Sequence, residues 1–253
     1  MTTDELRIDD MMNYDNFLEL AKTRRSIRKF KSDGVADSDI DRIIEAARWA
    51  PSGFNMQPWE FVVVQDPQLK NKIVEVVLQG YSTMFQMEAA REAWQGKGPM
   101  PQQKGSPATP PKPGFANAPV FIILLGDIRT RAGLPMIHRY NDASWNKTFV
   151  SGLANTFLYM HLAATTLGLA SQWVSEVYQP VSQCMIKQLL GIPEPLMIYE
   201  MMALGYPDMK PHPKVLKSVE ELTHKDYCGE DDFKTDEEVK QFIFKVRNPG
   251  QKS

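Results

Sequence analysis

Arg24-Arg25-Ser26-Ile27-Arg28-Lys29-Phe30 and, some twenty residues further on, Ala50-Pro51-Ser52-Gly53-Phe54-Asn55-Met56-Gln57-Pro58-Trp59 are the stretches on which the reading of this chain turns. The first sets four cations and a hydroxyl within six residues. Those are the donors a phosphate needs, because guanidinium and ammonium groups hold it with charge-assisted hydrogen bonds. The second is a loop punctuated by Pro and Gly whose Ser52, Asn55 and Gln57 can hydrogen-bond the edge of a flat heterocycle. Together they predict a phosphorylated, planar cofactor and therefore an enzyme. The bland alternative for the first stretch is a solvated basic helix end, since cations also favour helix C-termini.

The background against which that basic run stands is balanced. The chain has 253 residues, 43% hydrophobic and 24% charged, with a net charge of -2. It is long enough for one large domain with a full core, or at most two small ones. A balanced charge offers no general attraction to nucleic acid or anionic lipid, so no nucleic-acid partner is expected and the basic run reads as a local anion site. Cys184 and Cys228 lie far apart and form no metal-ligand spacing. They read as reduced thiols of a cytoplasmic protein. No His, Cys or carboxylate cluster has metal spacing, so no metal is expected. The N-terminus lacks a basic start and an apolar run, and no apolar stretch reaches the length of a membrane span.

Periodicity predicts the elements. A short helix over 14–23 with Phe17, Leu18 and Ala21 on one face leads into the basic run. Ser38 with Asp41 reads as a capping box for a helix carrying Ile40, Ile43, Ile44 and Ala47, ended by Pro51. Phe61 to Val64 reads as a strand buried on both faces. Asp66-Pro67 opens a helix with Leu69, Ile73, Val76 and Val77 inward, running on or restarting through Met84, Met87 and Trp94. Ten of the nineteen residues from Gly96 to Gly114 are Gly or Pro, which marks an insertion without regular structure. Strands are predicted over 119–125, 169–174 and 197–204, and helices over 147–167 and 180–190. The 147–167 helix carries Val150, Leu153, Ala154, Phe157, Leu158 and Leu162 on one stripe. Thr235 with Glu238 caps a last helix bearing Val239, Phe242, Ile243 and Val246. The expected architecture is one α+β domain over 14–222, interrupted at 96–114, with a charged extension over 223–253 that ends in a helix.

In this order and spacing the motifs resemble the FMN-dependent nitroreductase family. Arg24 to Phe30 is similar to its opening Arg-Arg-Ser-x-Arg-x-Phe. Ala50 to Gly53 with Asn55, Gln57-Pro58-Trp59 and Phe61 is similar to its second motif. Gly168 to Trp173, Leu190 to Pro193 and Leu204 to Pro207 fit its C-terminal half. The likeness covers roughly residues 18 to 220. It implies a sandwich with a central mixed, mostly antiparallel sheet of four to five strands flanked by helices. It also implies an intertwined homodimer with two FMN sites at the interface. Arg24, Arg25, Ser26 and Arg28 would hold the phosphate and ribityl end, and Arg28 could reach the pyrimidine edge. Pro51, Ser52 and Asn55 would come from the partner subunit, and Gln57 and Gln172 would also bind the cofactor. Trp173, with neighbours Ser171 and Ser175, would lie by flavin N5 and O4, with the choice between the two serines open. Lys217, or next Lys214, would add a cation to the phosphate. NADH or NADPH would be co-substrate, and the acceptor a nitroaromatic, quinone or related conjugated molecule, reduced by a ping-pong mechanism.

Three rival readings fit the residues less well. A reductive dehalogenase of iodotyrosine type reads its substrate with Glu, a Tyr four residues later and a downstream Lys, but Glu75 is followed by Gln79 and Glu88 by Glu92. The flavin-fragmenting enzyme of cobalamin-ligand synthesis has Asp where Ser26 stands. A flavin-binding protein without turnover is the rival from another class. His161, at helical spacing from Phe157 and Leu158, reads as a packed histidine, and Trp59 as a packing anchor. His138-Arg139-Tyr140 and Trp145 read equally well as substrate contacts or as a surface loop.

Overall fold

The computed structural model describes residues 13–89, 112–211 and 213–247, which cluster into two compact units divided after Pro211. The expected boundary at 222 falls inside the second unit. Trp94, Glu92 and the expected Gly/Pro-rich insertion as far as residue 111 lie outside the described residues.

The first unit is built on one run of sequence, Val120 to Leu125, whose every side chain is buried. Strand β2 (Val120–Asp127) alternates strictly between two apolar layers. Phe121, Ile123 and Leu125 enter one layer, and Val120, Ile122 and Leu124 the other. That is the pattern of a strand covered on both faces, and each such side chain contributes roughly 1.5–3 kcal/mol on burial. β1 (Trp59–Val64), β4 (Leu196–Gly205) and β3 (Ala170–Val174) complete a four-stranded sheet in the order β1-β2-β4-β3. All three pairings are antiparallel. The expected mixed character survives only as an isolated parallel bridge between Ser26 and Ser171.

Helices α2 (Asp37–Ala47) and α5 (Asp142–Thr166) supply one layer through Ile40, Ile43, Phe149, Leu153, Phe157 and Met160. Helices α3 (Pro67–Ala89) and α6 (Pro180–Leu190) supply the other through Ile73, Val74, Val77 and Ile186. The α3 start is capped as expected, with Asp66 Oδ1 accepting from the Leu69 N–H at 2.7 Å. Gly191, at φ 64°, stops α6 in the left-handed conformation that glycine tolerates. Short helix α1 (Tyr14–Thr23) precedes the sheet, and α4 (Met136–Arg139) precedes α5.

Four expectations need correction. The Ser38/Asp41 capping box does not form, because α2 begins at Asp37 with Ala36 as N-cap. β1 is not buried on both faces: Glu60 and Val63 are exposed, since the outermost strand is only partly covered by helices. Helix α5 starts at Asp142, five residues before the expected 147, with Asn141 Oδ1 accepting from the Ser144 N–H at 2.9 Å. Its buried face is rotated, so that Thr156, Met160 and His161 point inward while Val150 (38% exposed) and Leu158 (45%) point outward.

The second unit, described over 213–247, closes on α7 (Asp236–Arg247). Its capping box is as expected: the Thr235 N–H donates to Glu238 Oε2 at 2.8 Å, and the Glu238 N–H to Thr235 Oγ1 at 3.4 Å. Lys217 Nζ lies 4.8 Å from the Phe242 ring centroid, and Lys234 pairs with Glu221 at 2.9 Å.

Candidate functional site

Helix α1 ends by handing the basic run to the sheet. The Arg24 N–H closes the last turn on the Leu20 carbonyl at 2.9 Å, and the chain then runs extended against two other segments. The Ile27 N–H donates to the Ser171 carbonyl at 3.1 Å, the Lys31 N–H to the Tyr206 carbonyl at 2.9 Å, and the Asp208 N–H to the Lys29 carbonyl at 2.9 Å. Ile27 and Phe30 anchor the run in an apolar layer. Arg24, Arg25 and Ser26 are left half-buried and Arg28 exposed. Lys29 is drawn to Asp208 at 2.7 Å. Among the described residues neither Arg24 nor Arg28 takes part in an ion pair. Burial first, and the neighbouring Arg25 second, push the Arg24 guanidinium below its usual range. A bound anion would relieve both effects.

The second motif is held elsewhere. Phe54, Asn55 and Gln57 adopt left-handed backbone at φ 56°, 52° and 45°, a strain of roughly 1–3 kcal/mol each for non-glycine residues. The loop is pinned internally, with the Gln57 N–H donating to Ser52 Oγ at 3.0 Å and Gln57 Nε2 to Asn55 Oδ1 at 3.2 Å. It is tied to α5 by Asn155 Nδ2 donating to the Pro51 carbonyl at 3.0 Å. His138 packs on the Phe54 ring at 5.3 Å and bonds Ser144 Oγ through Nδ1 at 2.6 Å. Trp145, expected in a polar segment, is inside α5 and stacks on Phe149 at 5.1 Å.

The β3 segment treats Ser171 within it and Ser175 just beyond it differently. Ser171 is buried, its hydroxyl 2.6 Å from His161 Nδ1. Its side chain is therefore committed to the core and cannot face a ligand. His161 is packed as the sequence predicts, stacked on Trp173 at 5.8 Å and edge-on to Phe157 at 4.8 Å. Burial, then Arg24, depress it to about 3, which keeps the ring neutral. Gln172 is also buried, with its Oε1 unpartnered. Trp173 remains 38% exposed, and Ser175, just past the strand, is half-buried.

Three groups that the sequence reading passed over converge here. Glu200 is a lone carboxyl within the apolar run of β4 and is only 8% exposed. Burial raises it to about 7, while the Trp173 indole and the Ser175 hydroxyl beside it pull the other way and Glu176 adds to the rise. Tyr81 on α3 is half-buried near Glu176; burial first and Glu176 second push its phenol up, with Arg28 opposing. Glu200 thus lies near Trp173, Ser175 and Glu176, and Tyr81 lies near Glu176 and Arg28. A charge interrupting an otherwise apolar strand was the signal that could have revealed Glu200. Lys214 and Lys217 belong to the second unit. Among the described residues no group of His, Cys, Asp and Glu could hold a metal ion, and no described helix is long and apolar enough to cross a membrane.

Comparison with known proteins places this arrangement in context. The sequence model of the nitroreductase family matches residues 21–206. A protein of Archaeoglobus fulgidus provisionally named as an NADH dehydrogenase/NAD(P)H nitroreductase is 28% identical over 190 residues, covering 75% of this chain and 84% of that one. Iodotyrosine deiodinase 1 of Rattus norvegicus is 34% identical over 135 residues, 53% of this chain and 45% of that one. Among solved structures, the nitroreductase CinD of Lactococcus lactis in complex with chloramphenicol superposes with a TM-score of 0.64 at 17% identity, covering 83% of this chain and all of that one. A nitroreductase of Bacteroides fragilis with bound FMN gives 0.57 at 22% identity, covering 82% and 97%. At these identities the structures establish the fold.

Proposed function

The chain belongs to the nitroreductase family, and from that premise we propose that it is an FMN-dependent oxidoreductase passing reducing equivalents from NADH or NADPH to a nitroaromatic, quinone or related conjugated acceptor. The observation that carries this reading is the basic run itself: Arg24, half-buried, and Arg28, exposed, are guanidiniums without ion pairs among the described residues, on a run bridged at Ser26 to β3, which carries the partly exposed Trp173. Such a site fits a phosphate at one end and an aromatic ring at the other. The FMN in the Bacteroides fragilis relative supports the choice of cofactor.

FMN bound here would supply the hydride-accepting ring. Arg24, Arg25 and Ser26 would hold its phosphate and ribityl chain. Arg28 would stabilise negative charge developing at the pyrimidine edge on reduction. Of the two serines, Ser175 is the better donor to N5, because the Ser171 hydroxyl is engaged by His161. Gln172 would contribute main-chain contacts. Pro51, Ser52, Asn55 and Gln57 would serve the partner's cofactor in a homodimer. The outward apolar residues of α5, Val150, Leu158 and Tyr159, and Tyr14 and Phe17 of α1 support such an interface. Donor and acceptor would occupy the same open face in turn, which is a ping-pong scheme.

A second reading, reductive dehalogenation, is favoured by the relative named iodotyrosine deiodinase. One experiment separates the two. The purified protein is titrated anaerobically with NADH and with NADPH, then offered a nitroaromatic, a quinone and 3-iodo-L-tyrosine. Bleaching of bound FMN followed by reoxidation with the first two acceptors is expected. Iodide release in place of nitro or quinone turnover would favour dehalogenation, and bound FMN that neither nicotinamide bleaches would overturn the oxidoreductase reading.

A further inference from the structure

β3 is the last strand of the sheet, and the basic run lies along its free edge. Ser26 bridges Ser171 in parallel, and the Ile27 N–H donates to the Ser171 carbonyl at 3.1 Å. Ser171 is therefore the residue on which the run between Arg24 and Arg28 is docked. Its hydroxyl enters the α5 layer and meets His161 Nδ1 at 2.6 Å. Trp173, two residues on, shares that face of the strand. Its indole stacks on the same imidazole, with centroids 5.8 Å apart and planes at 11°. One histidine thus spans two successive same-face positions of β3.

The stack is closed on other sides too. Phe157, one turn before His161 on α5, sets its ring edge-on to Trp173 at 4.5 Å and to His161 at 4.8 Å. Tyr199 meets Trp173 at 6.4 Å. It is the residue left over at a bulge in β4, where Leu124 pairs with Glu200 and Leu125 with Ile198. Bulges re-aim side chains in this way. Part of the indole stays open, since Trp173 is 38% exposed.

Packing alone does not account for a histidine here. His161 is 3% exposed, and among the described residues its Nε2 is buried without a hydrogen-bond partner, whichever way Nδ1 and Ser171 share their proton. An unpaired buried polar atom costs about 1–3 kcal/mol. Leu or Met would fill the layer without that cost. What Leu or Met would lose is the bond to Ser171 and the flat ring under Trp173.

We propose that His161 is a positioning residue of the cofactor site with two separable parts. Its Nδ1 fixes Ser171, and with it the edge of β3 that docks the basic run and its phosphate-binding arginines. Its ring fixes the plane of the Trp173 indole, whose open part is the aromatic wall of the site. The inference rests on the oxidoreductase reading, which supplies FMN as the molecule bound.

The test uses the full chain loaded with FMN and two substitutions that divide the ring from its nitrogen. His161→Phe keeps a flat ring against Trp173 and loses Nδ1. His161→Gln keeps a polar group toward Ser171 and loses the ring. In His161→Phe the dissociation constant of FMN should rise by about three- to tenfold, the equivalent of one hydrogen bond. The near-UV circular dichroism of Trp173, read as the difference from Trp173→Phe, should persist. In His161→Gln the affinity should stay close to that of the wild type, while the Trp173 signal collapses. Ser171→Ala leaves α5 untouched and should reproduce the His161→Phe result, so it decides the matter even if the buried His161 variants fail to fold. Wild-type FMN affinity in Ser171→Ala overturns the proposal. So do affinity and Trp173 signal that fall together in both His161 variants in step with melting temperature, the mark of a purely structural role. Both outcomes leave the oxidoreductase reading intact, whereas a wild-type protein that binds no FMN overturns both.

Discussion

Single side chains divide the site into groups committed to the fold and groups left over. Ser171, Lys29 and Gln57 carry hydrogen-bonding chemistry, but each is engaged, by His161, Asp208 and Asn55 respectively. Arg24 and Arg28 are the cations that remain for an anion. Replacing Arg28 by Gln, or Arg24 by Gln, removes a charge-assisted hydrogen bond worth about 1.5–3 kcal/mol. FMN affinity should then fall by roughly ten- to a hundredfold, as measured by fluorescence of the released flavin, while the melting temperature of the apoprotein changes little. Equal FMN affinity in both variants would remove these arginines from the site. The contrast with Ser171 is instructive: the residue type and spacing suited a cofactor contact, and only its burial against His161 assigned it to the core.

Secondary-structure elements transmit changes to the site through close backbone approach. Gly114 opens a turn over Gly114–Asn117 that lies on the basic run, and a methyl group added there would sit on the Arg28 carbonyl. Gly114→Ala should therefore weaken FMN binding without touching a cofactor contact, and normal affinity in a folded variant would refute the coupling. Asp66→Ala, by contrast, removes the N-cap of α3 and should cost about 1 kcal/mol in a urea titration. The two capping signals show why local patterns succeed unevenly. Thr235 and Glu238 find each other because nothing competes for them. Ser38 does not cap α2, because the helix begins one residue earlier, where Asp37 accepts from Gln65, 28 positions away. Likewise the buried strand β2 was legible from its unbroken apolar run. The bulge in β4 was not, since a bulge is a relation between two strands.

For the whole molecule, the two titratable groups buried among the described residues, His161 and Glu200, give stability a definite pH dependence. His161 stays neutral when folded, with its value depressed from 6.5 to about 3. The unfolded chain therefore binds the extra proton, and stability is lost as pH falls through that interval. Glu200 is raised from 4.5 to about 7, so the folded chain holds the extra proton and stability declines as pH rises between those values. The two slopes oppose each other between about pH 4.5 and 6.5. Glu200→Gln removes one of them, so its stability maximum should move to higher pH, by an energy of at most a few kcal/mol at about 1.4 kcal/mol per pKa unit. Urea titrations from pH 5 to 8 that superimpose for the two proteins would contradict this. A second expectation follows from the proposed homodimer: dilution should release FMN as subunits separate, and flavin retention independent of protein concentration would argue for a site complete in one chain. The order of the elements, the buried run of β2, the basic run and the Pro/Gly-punctuated loop were all determined by the sequence alone, because each depends on neighbours a few residues apart. Only the tertiary structure decided that Ser171 is buried and Ser175 is not, that Val150 and Leu158 face outward, and that Glu200 joins Trp173. Those outcomes depend on which strands pair, in what register and with what bulge, and local residue preferences do not encode such distant contacts.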